Sequence, residues 1–463
     1  MPPRIVVLCD GTWAGRETGT QTNIYRLARL FHVPINNLNS TDEYIRPADL
    51  TVPSARQVVA RYRHGVGLGG TFLDYLFNGA TASDLAEEVI MAYRFIVNHY
   101  TADHEIWMFG FSRGAYTVRS VAGLINNYGI VDRRRLQLTD AETEQMCRQA
   151  YYLYKSGHPE NAPHGTASVA FRLRNSWPLI GDPVAPGQAP PRPPVRFMGL
   201  FDTVGSLGIP DFTGGLGLNY PEFYDDVVSS VVQDVCHLVS VHDRLWAFQP
   251  CLVQRKGGGE DGVHEEWLPG CHYDLGRQRF RFWRSGGGLL ERVAGVLSYI
   301  PFVGHGKTIQ PNLVLSDLAL RKMLEQIQRS DAGNVLLPLP PLQVLASDDS
   351  AIANPPHRPA GEYDLGDGDV YGRILHYGPF GSLAGSLAVP ALGGLAVWKV
   401  LFALRDRAIP ASTTTVYRYD RVDPTLPPPQ ILNRIGNITG GSVRRYPSTT
   451  AESWALWTGR SWP

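Results

Sequence analysis

Apolar and polar positions in the first third of the chain follow two alternating patterns. Short, mainly apolar runs lie at 5–9 (Ile5-Val6-Val7-Leu8-Cys9), at 58–62, where Arg61 interrupts, and at 106–109. Runs of that length, rich in β-branched residues, fit strands buried on both faces. Between them, apolar residues return at helical spacing. Ile24, Leu27, Leu30 and Phe31 share one face of 23–31, and Leu85, Val89, Tyr93, Ile96 and Val97 share one face of 83–100, where Ser83 is placed to cap the helix. Strand and helix in alternation predict a parallel sheet with right-handed crossovers.

The pattern then loosens. Residues 132–180 read as mainly helical, and the proline-rich stretch 181–195 suits neither helix nor central strand. Val195 to Phe201 is a further strand, ending at Asp202 and a glycine-containing turn. A helix is predicted over 224–234, a strand over 236–242, a strand-like segment at 265–268 followed by Pro269-Gly270, and an amphipathic helix over 312–329. No internal repeat is visible.

One pentapeptide carries the chemistry. Gly110-Phe111-Ser112-Arg113-Gly114 follows an apolar strand and opens a helix-like stretch. Gly-x-Ser-x-Gly is common by chance, but strand, tight turn and helix in that order form the context of a nucleophile elbow. A serine hydroxyl is a poor nucleophile by itself, so the elbow calls for a histidine base and a carboxylate that orients it. Asp202, the first polar residue after a strand, suits the acid. Two histidines suit the base: His272, in a loop after Pro269-Gly270, and His242, at a strand end beside Asp243. The backbone N–H of Arg113 and an early turn, Gly11-Thr12, are the natural oxyanion donors. Arg277, Arg279 and Arg281 recur with a period of two, which would place them on one strand face, either a solvated edge or a cationic surface for a phosphate headgroup.

Composition narrows the field. Lys plus Arg and Asp plus Glu both number 43, so no net field favours nucleic acid. The five cysteines are scattered and lack CxxC spacing, which fits reduced thiols rather than a disulfide frame or a zinc site. No signal-peptide pattern opens the chain, so a cytoplasmic protein without metal or cofactor is expected. The apolar stretches Leu289 to Val303 and Leu383 to Leu404 raise the question of membrane contact; prolines, glycines and Lys399 interrupt the second, which favours a buried, lid-like or surface-contacting segment over a spanning one.

Several segments together resemble the α/β-hydrolase-like domain family that includes phospholipase effectors of bacterial type VI secretion and has many fungal members. They are 8–13 (Leu-Cys-Asp-Gly-Thr-Trp), Thr22-Asn23-Ile24, Gly65-Val66-Gly67, the pentapeptide with Ala115, 199–206 around Asp202, and 267–274 ending His272-Tyr273-Asp274. The resemblance spans residues 5 to about 280. Bacterial members usually continue with several glycines where this chain has Leu275-Gly276-Arg277-Gln278. It implies an α/β-hydrolase-like fold and a Ser112–Asp202–His272 triad, with His242 and Asp274 as supporting residues. The expected organisation is a catalytic domain over 1–285, with the proline-rich insertion, and a helical or irregular appendage over 286–463 that could serve as a lid. The expected activity is cleavage of a carboxylic ester, in a phospholipid or other lipid, through an acyl-enzyme.

Two other readings compete. Asp10-Gly11-Thr12 after the first strand also suits a haloacid-dehalogenase-type phosphatase, but Leu8 stands where that chemistry needs its nucleophilic aspartate. The alternative from a different class is a catalytically silent hydrolase fold kept as a binding module.

Overall fold

The computed structural model describes residues 2–11, 21–36, 43–47, 58–65, 82–183, 190–204, 227–243, 249–255, 262–281, 308–341, 343, 407, 415–421 and 430–436. The apolar runs become strands: β1 (Arg4–Cys9), β3 (Val58–Arg63), β4 (Glu105–Phe111), β5 (Val195–Phe201), β6 (Val232–Ser240) and β7 (Val263–Leu268). β2 (Glu43–Arg46), β8 (Thr415–Arg421) and β9 (Gln430–Gly436) complete a nine-stranded sheet in the order β9-β8-β7-β6-β5-β4-β1-β3-β2. Every pairing from β3 to β8 is parallel, and an antiparallel strand closes each edge.

Helices cover both faces, as buried parallel strands require. The odd positions of β1, Ile5, Val7 and Cys9, belong to a core shared with α2 (Ala82–His99), α3 (Arg113–Tyr128) and α4 (Asp140–Lys155). The even positions, Val6 and Leu8, pack in a second core with α1 (Asn23–Leu30) and α7 (Leu313–Ser330). Two shorter helices, α5 (Thr166–Asn175) and α6 (His272–Gly276), complete the set used below. This is the mostly parallel α/β architecture that the alternation of patterns predicts.

Some expectations change. β-strand pairing, not helix, occupies the described part of 224–234: Val227–Val228 pair with Gln254–Arg255, and β6 begins at Val232. Tyr224, Val227, Val228 and Val231 have helical spacing, yet the valines are β-branched and favour the pleated sheet. Ser83 lies inside α2 rather than before it. Arg277 closes α6 in the left-handed conformation, φ 54°, so the three arginines do not line one strand; only Phe280–Arg281 of that run is a strand. The pair β8 and β9 joins the sheet edge next to β7. The apolar stretches at 289–303 and 383–404 lie outside the described residues. No helix among the described residues is long and apolar enough to cross a membrane.

Strand register then places the site. Cys9 lies level with Gly110, Phe111 with Phe201, Phe201 with Leu238, and Ser240 with Leu268. The residues that follow β1, β4, β5, β6 and β7 therefore emerge together at the carboxyl ends of the strands. β1 is also where the strand order reverses, the crevice in which open α/β sheets bind ligands.

Buried Asn23 fastens the far side of this edge. Its Nδ2 donates to the Leu275 carbonyl of α6 at 2.7 Å and to the Ser316 carbonyl of α7 at 2.9 Å. Asn23→Ala would leave both carbonyls buried without that donor, so urea denaturation is expected to show a loss of roughly 2–4 kcal/mol. A change of less than about 0.5 kcal/mol would contradict this tie.

Candidate active site

Ser112 stands at the corner between β4 and α3 with φ 57° and ψ −123°, a region that side chains other than glycine rarely adopt. Its neighbours make the corner sterically feasible. A Cβ on Gly110 would run into the backbone of Gly114 and Ala115, and one on Gly114 into the carbonyls of Cys9 and Asp10. The Ser112 N–H donates to the Phe201 carbonyl at 3.0 Å, extending the β4–β5 ladder by one residue. A serine before a helix normally caps it; here the hydroxyl makes no capping bond. It lies instead 2.8 Å from His272 Nε2.

His272 opens α6, directly after the turn that ends β7. Its Nδ1 lies 2.6 Å from Asp202 Oδ2, its backbone N–H donates to Asp243 Oδ2 at 3.1 Å, and its ring stacks on Phe111 with centroids 4.7 Å apart. The imidazole is thus held by a hydrogen bond on one edge, a ring on one face and its own main chain. Asp274 fixes the helix start: Oδ2 accepts from the Cys271 N–H at 2.8 Å and Oδ1 from the Asn312 N–H at 2.7 Å.

Asp202 follows β5 with φ 42° and is fully buried. Ser240 donates to it twice, from its N–H to Oδ1 at 2.8 Å and from its hydroxyl to Oδ2 at 3.2 Å. Arg407 adds a two-pronged contact, Nη1 to Oδ1 at 2.6 Å and Nη2 to Oδ2 at 2.9 Å. Burial alone would push this carboxyl up; the Arg407 charge and the His272 hydrogen bond outweigh it and hold the group well below the usual carboxylate range. An ionised Asp202 can only accept, so Nδ1 of His272 carries its proton and Nε2 is the acceptor for the Ser112 hydroxyl.

His242, the other candidate base, is engaged elsewhere. Its Nδ1 accepts from the Gly270 N–H at 3.0 Å while its own N–H donates to the Gly270 carbonyl at 3.0 Å, tying β6 to the turn before His272. Burial pulls its imidazole down to about 3, so it is neutral. Asp243 is pushed up to about 6 by burial, against the pull of Arg407.

The first turn is organised by Asp10. Oδ1 accepts from the Gly11 N–H at 2.7 Å; Oδ2 accepts from Thr22 Oγ1 at 2.5 Å and Tyr62 Oη at 2.8 Å. Burial pushes this carboxyl up to about 6, with those donors opposing. Arg113 is buried and lines a small hollow with Asp10, Arg63, His64 and Glu88. Thr12 lies outside the described residues, as does the side chain of Arg281. Arg277 Nη1 reaches the Gln21 carbonyl at 3.5 Å, and Arg279 is half-buried. Among the described residues no group of three His, Cys, Asp or Glu side chains could hold a metal ion. The cysteines form no disulfide.

The structure therefore brings Ser112, His272 and Asp202 into one hydrogen-bonded line and sets His242 and Asp274 beside it as supports. Motif reading missed Phe111, Asp243 and Arg407. Phe111 lies inside the pentapeptide, where an aromatic before the serine is a usable signal. Arg407 had none: it stands in a stretch without any motif.

Residues 3–326 match the family described as type VI secretion system phospholipase effector Tle1-like, catalytic domain. Uncharacterized protein YEL023C of Saccharomyces cerevisiae is 26% identical over 250 residues, which cover 53% of this chain and 32% of that protein. The chain thus spans about a third of that relative's length. Two solved structures are also similar. The Tle1 effector bound to the VgrG spike is 17% identical with a TM-score of 0.33, covering 75% of this chain and 78% of that one. An uncharacterised protein from Pseudomonas aeruginosa is 17% identical with a TM-score of 0.32, covering 74% and 48%. By the span of its family match, this chain belongs to the Tle1-like phospholipase effector catalytic-domain family.

Proposed function

We propose that this protein is a serine hydrolase that cleaves a carboxylic ester of a lipid, a phospholipid in the first instance, through an acyl-enzyme on Ser112. The observation that carries the reading is the line Ser112 Oγ, His272 Nε2, His272 Nδ1, Asp202 Oδ2, with separations of 2.8 and 2.6 Å. Membership of a phospholipase-effector family supports the substrate class.

On this reading Ser112 sits at a nucleophile elbow. Its Oγ attacks the ester carbonyl while His272 Nε2 takes the hydroxyl proton. Asp202 keeps the proton of Nδ1 in place and stabilises the imidazolium that forms. The carbonyl oxygen, now carrying the negative charge, is received by the backbone N–H of Arg113 and by the turn at Gly11-Thr12. The Gly11 N–H already donates to Asp10, so on this reading the N–H that the turn offers the oxyanion is that of Thr12. The imidazolium then returns its proton to the departing alcohol. A water molecule repeats the sequence on the acyl-enzyme, releases the fatty acid and restores Ser112.

The silent binding module finds no support among the described residues. A retained but idle serine at a helix start would satisfy helix N–H groups, whereas Ser112 makes no such bond and is held in a strained conformation facing a histidine. Asp10 accepts from Gly11, Thr22 and Tyr62, and this shapes the turn rather than arming a phosphatase nucleophile.

Hydrolysis of phosphatidylcholine and phosphatidylglycerol vesicles, followed by fatty-acid release, tests the reading. Ser112→Ala is expected to lower kcat by roughly 10³-fold or more and to abolish labelling by a fluorophosphonate probe. Unchanged release by folded Ser112→Ala protein would refute the serine mechanism. The two histidines should separate in the same assay. His272→Asn is expected to abolish labelling, whereas His242→Asn should label within about tenfold of wild type per folded molecule. The opposite order would give the base role to His242.

A further inference from the structure

Arg407 is the element of the site that no motif announces, and it lies beyond the family match, which ends at residue 326. Its side chain is fully buried. The guanidinium meets Asp202 with one nitrogen on each carboxylate oxygen, at 2.6 and 2.9 Å. Nη1 also donates to the Ser240 carbonyl at 2.8 Å and lies 2.6 Å from Ser240 Oγ. Ser240 itself donates to both Asp202 oxygens. The carboxylate is thus held in one plane by a rigid fork from one side and by the end of β6 from another. Its Oδ2 is left pointing at His272 Nδ1.

β8 runs parallel to β7, with Thr415 opposite Glu266 and Val416 opposite Trp267. Arg407 stands eight residues before Thr415 in the chain.

We propose that Arg407 is a positioning residue for the hydrolysis described above, one that fixes the orientation and charge of Asp202 and thereby sets the pH at which the Asp202–His272 pair takes up a proton. The proposal rests on the serine-hydrolase reading and adds to it that the site is built in part by residues after the catalytic-domain match. A planar fork fits both carboxylate oxygens; an ammonium cannot. The Arg407 charge also opposes the imidazolium through space, so removing it makes proton uptake by the pair easier. Among the described residues, other titratable groups around the pair include Asp243, whose carboxylate accepts from the His272 N–H, Cys271, which precedes His272, Asp274, which accepts from the Cys271 N–H, and His242, tied to Gly270. Asp243 also feels the Arg407 charge, and loss of that charge moves it in the same direction as the pair.

The test compares full-length wild type, Arg407→Gln and Arg407→Lys. The rate constant for fluorophosphonate labelling is measured against pH, per labelled site, and the imidazole of His272 is titrated by NMR of 15N-histidine protein. Arg407→Gln is expected to move the acid limb of labelling, and the His272 titration with it, upward by about one pH unit. It should also slow labelling at neutral pH by about tenfold or more. Arg407→Lys should keep the wild-type limb, since the charge remains, but label several-fold more slowly. An unchanged limb, titration and rate in folded Arg407→Gln would overturn the proposal and leave Arg407 a structural ion pair. If the Gln variant does not fold, Arg407→Lys decides: labelling at the wild-type rate overturns the proposal. A wild-type protein that never labels would instead refute the hydrolase reading, and the NMR titration would still decide whether Arg407 governs the pair.

Discussion

A fully buried, ionised carboxylate is the constraint on which this site depends. Taking Asp202 out of water is costly unless its charge is matched and its oxygens are filled. The fold meets that demand with groups from different parts of the chain: Ser240 at the end of β6, His272 at the start of α6 and Arg407 ahead of β8. Each contact limits the next. The two-pronged Arg407 contact and the Ser240 N–H fix the carboxylate plane, the plane fixes which way Oδ2 faces, and Oδ2 fixes the tautomer and tilt of the imidazole. The compensation has a chemical consequence. A guanidinium beside the carboxylate keeps it ionised, but it also weakens the field that would stabilise an imidazolium. The site trades some pull on His272 for a fixed orientation.

The sheet supplies the rest of the geometry. Parallel strands in register end level with one another, so residues far apart in the chain emerge at one rim. Conformational strain is present there, with Ser112 and Asp202 both at positive φ. It is tolerated because the surrounding ladders leave no alternative: the Ser112 N–H is paired with β5, and the Asp202 N–H with the Leu238 carbonyl of β6 at 2.7 Å. Phe111 then fills the space beneath the imidazole, and Gly276 is small because a Cβ there would enter that ring.

Local patterns were enough to read the strands β1, β3, β4 and β5 and the helices α1, α2, α3 and α7, because buried parallel strands and amphipathic helices write distinct periods. Over 224–234, valines at helical spacing satisfy both periods, and only pairing partners far along the chain decide between them. The choice between His272 and His242 was open in the residues alone: both follow strands that end at the same rim, and only the register and the turn at Gly270 show which ring reaches Ser112. Arg407 lay beyond local reading altogether. It meets Asp202 across 205 positions of sequence, a contact that the spacing of residues around 407 does not encode.

The central claim is that Ser112 carries a covalent acyl group during turnover. Rapid acid quenching during hydrolysis of a short-chain p-nitrophenyl ester, followed by peptide mass spectrometry, reads this directly. The account predicts an acyl adduct on the peptide containing Ser112, accumulating with the burst of nitrophenol and disappearing as substrate is consumed. Continued ester turnover with no adduct, or with the acyl group on any other residue, would contradict it.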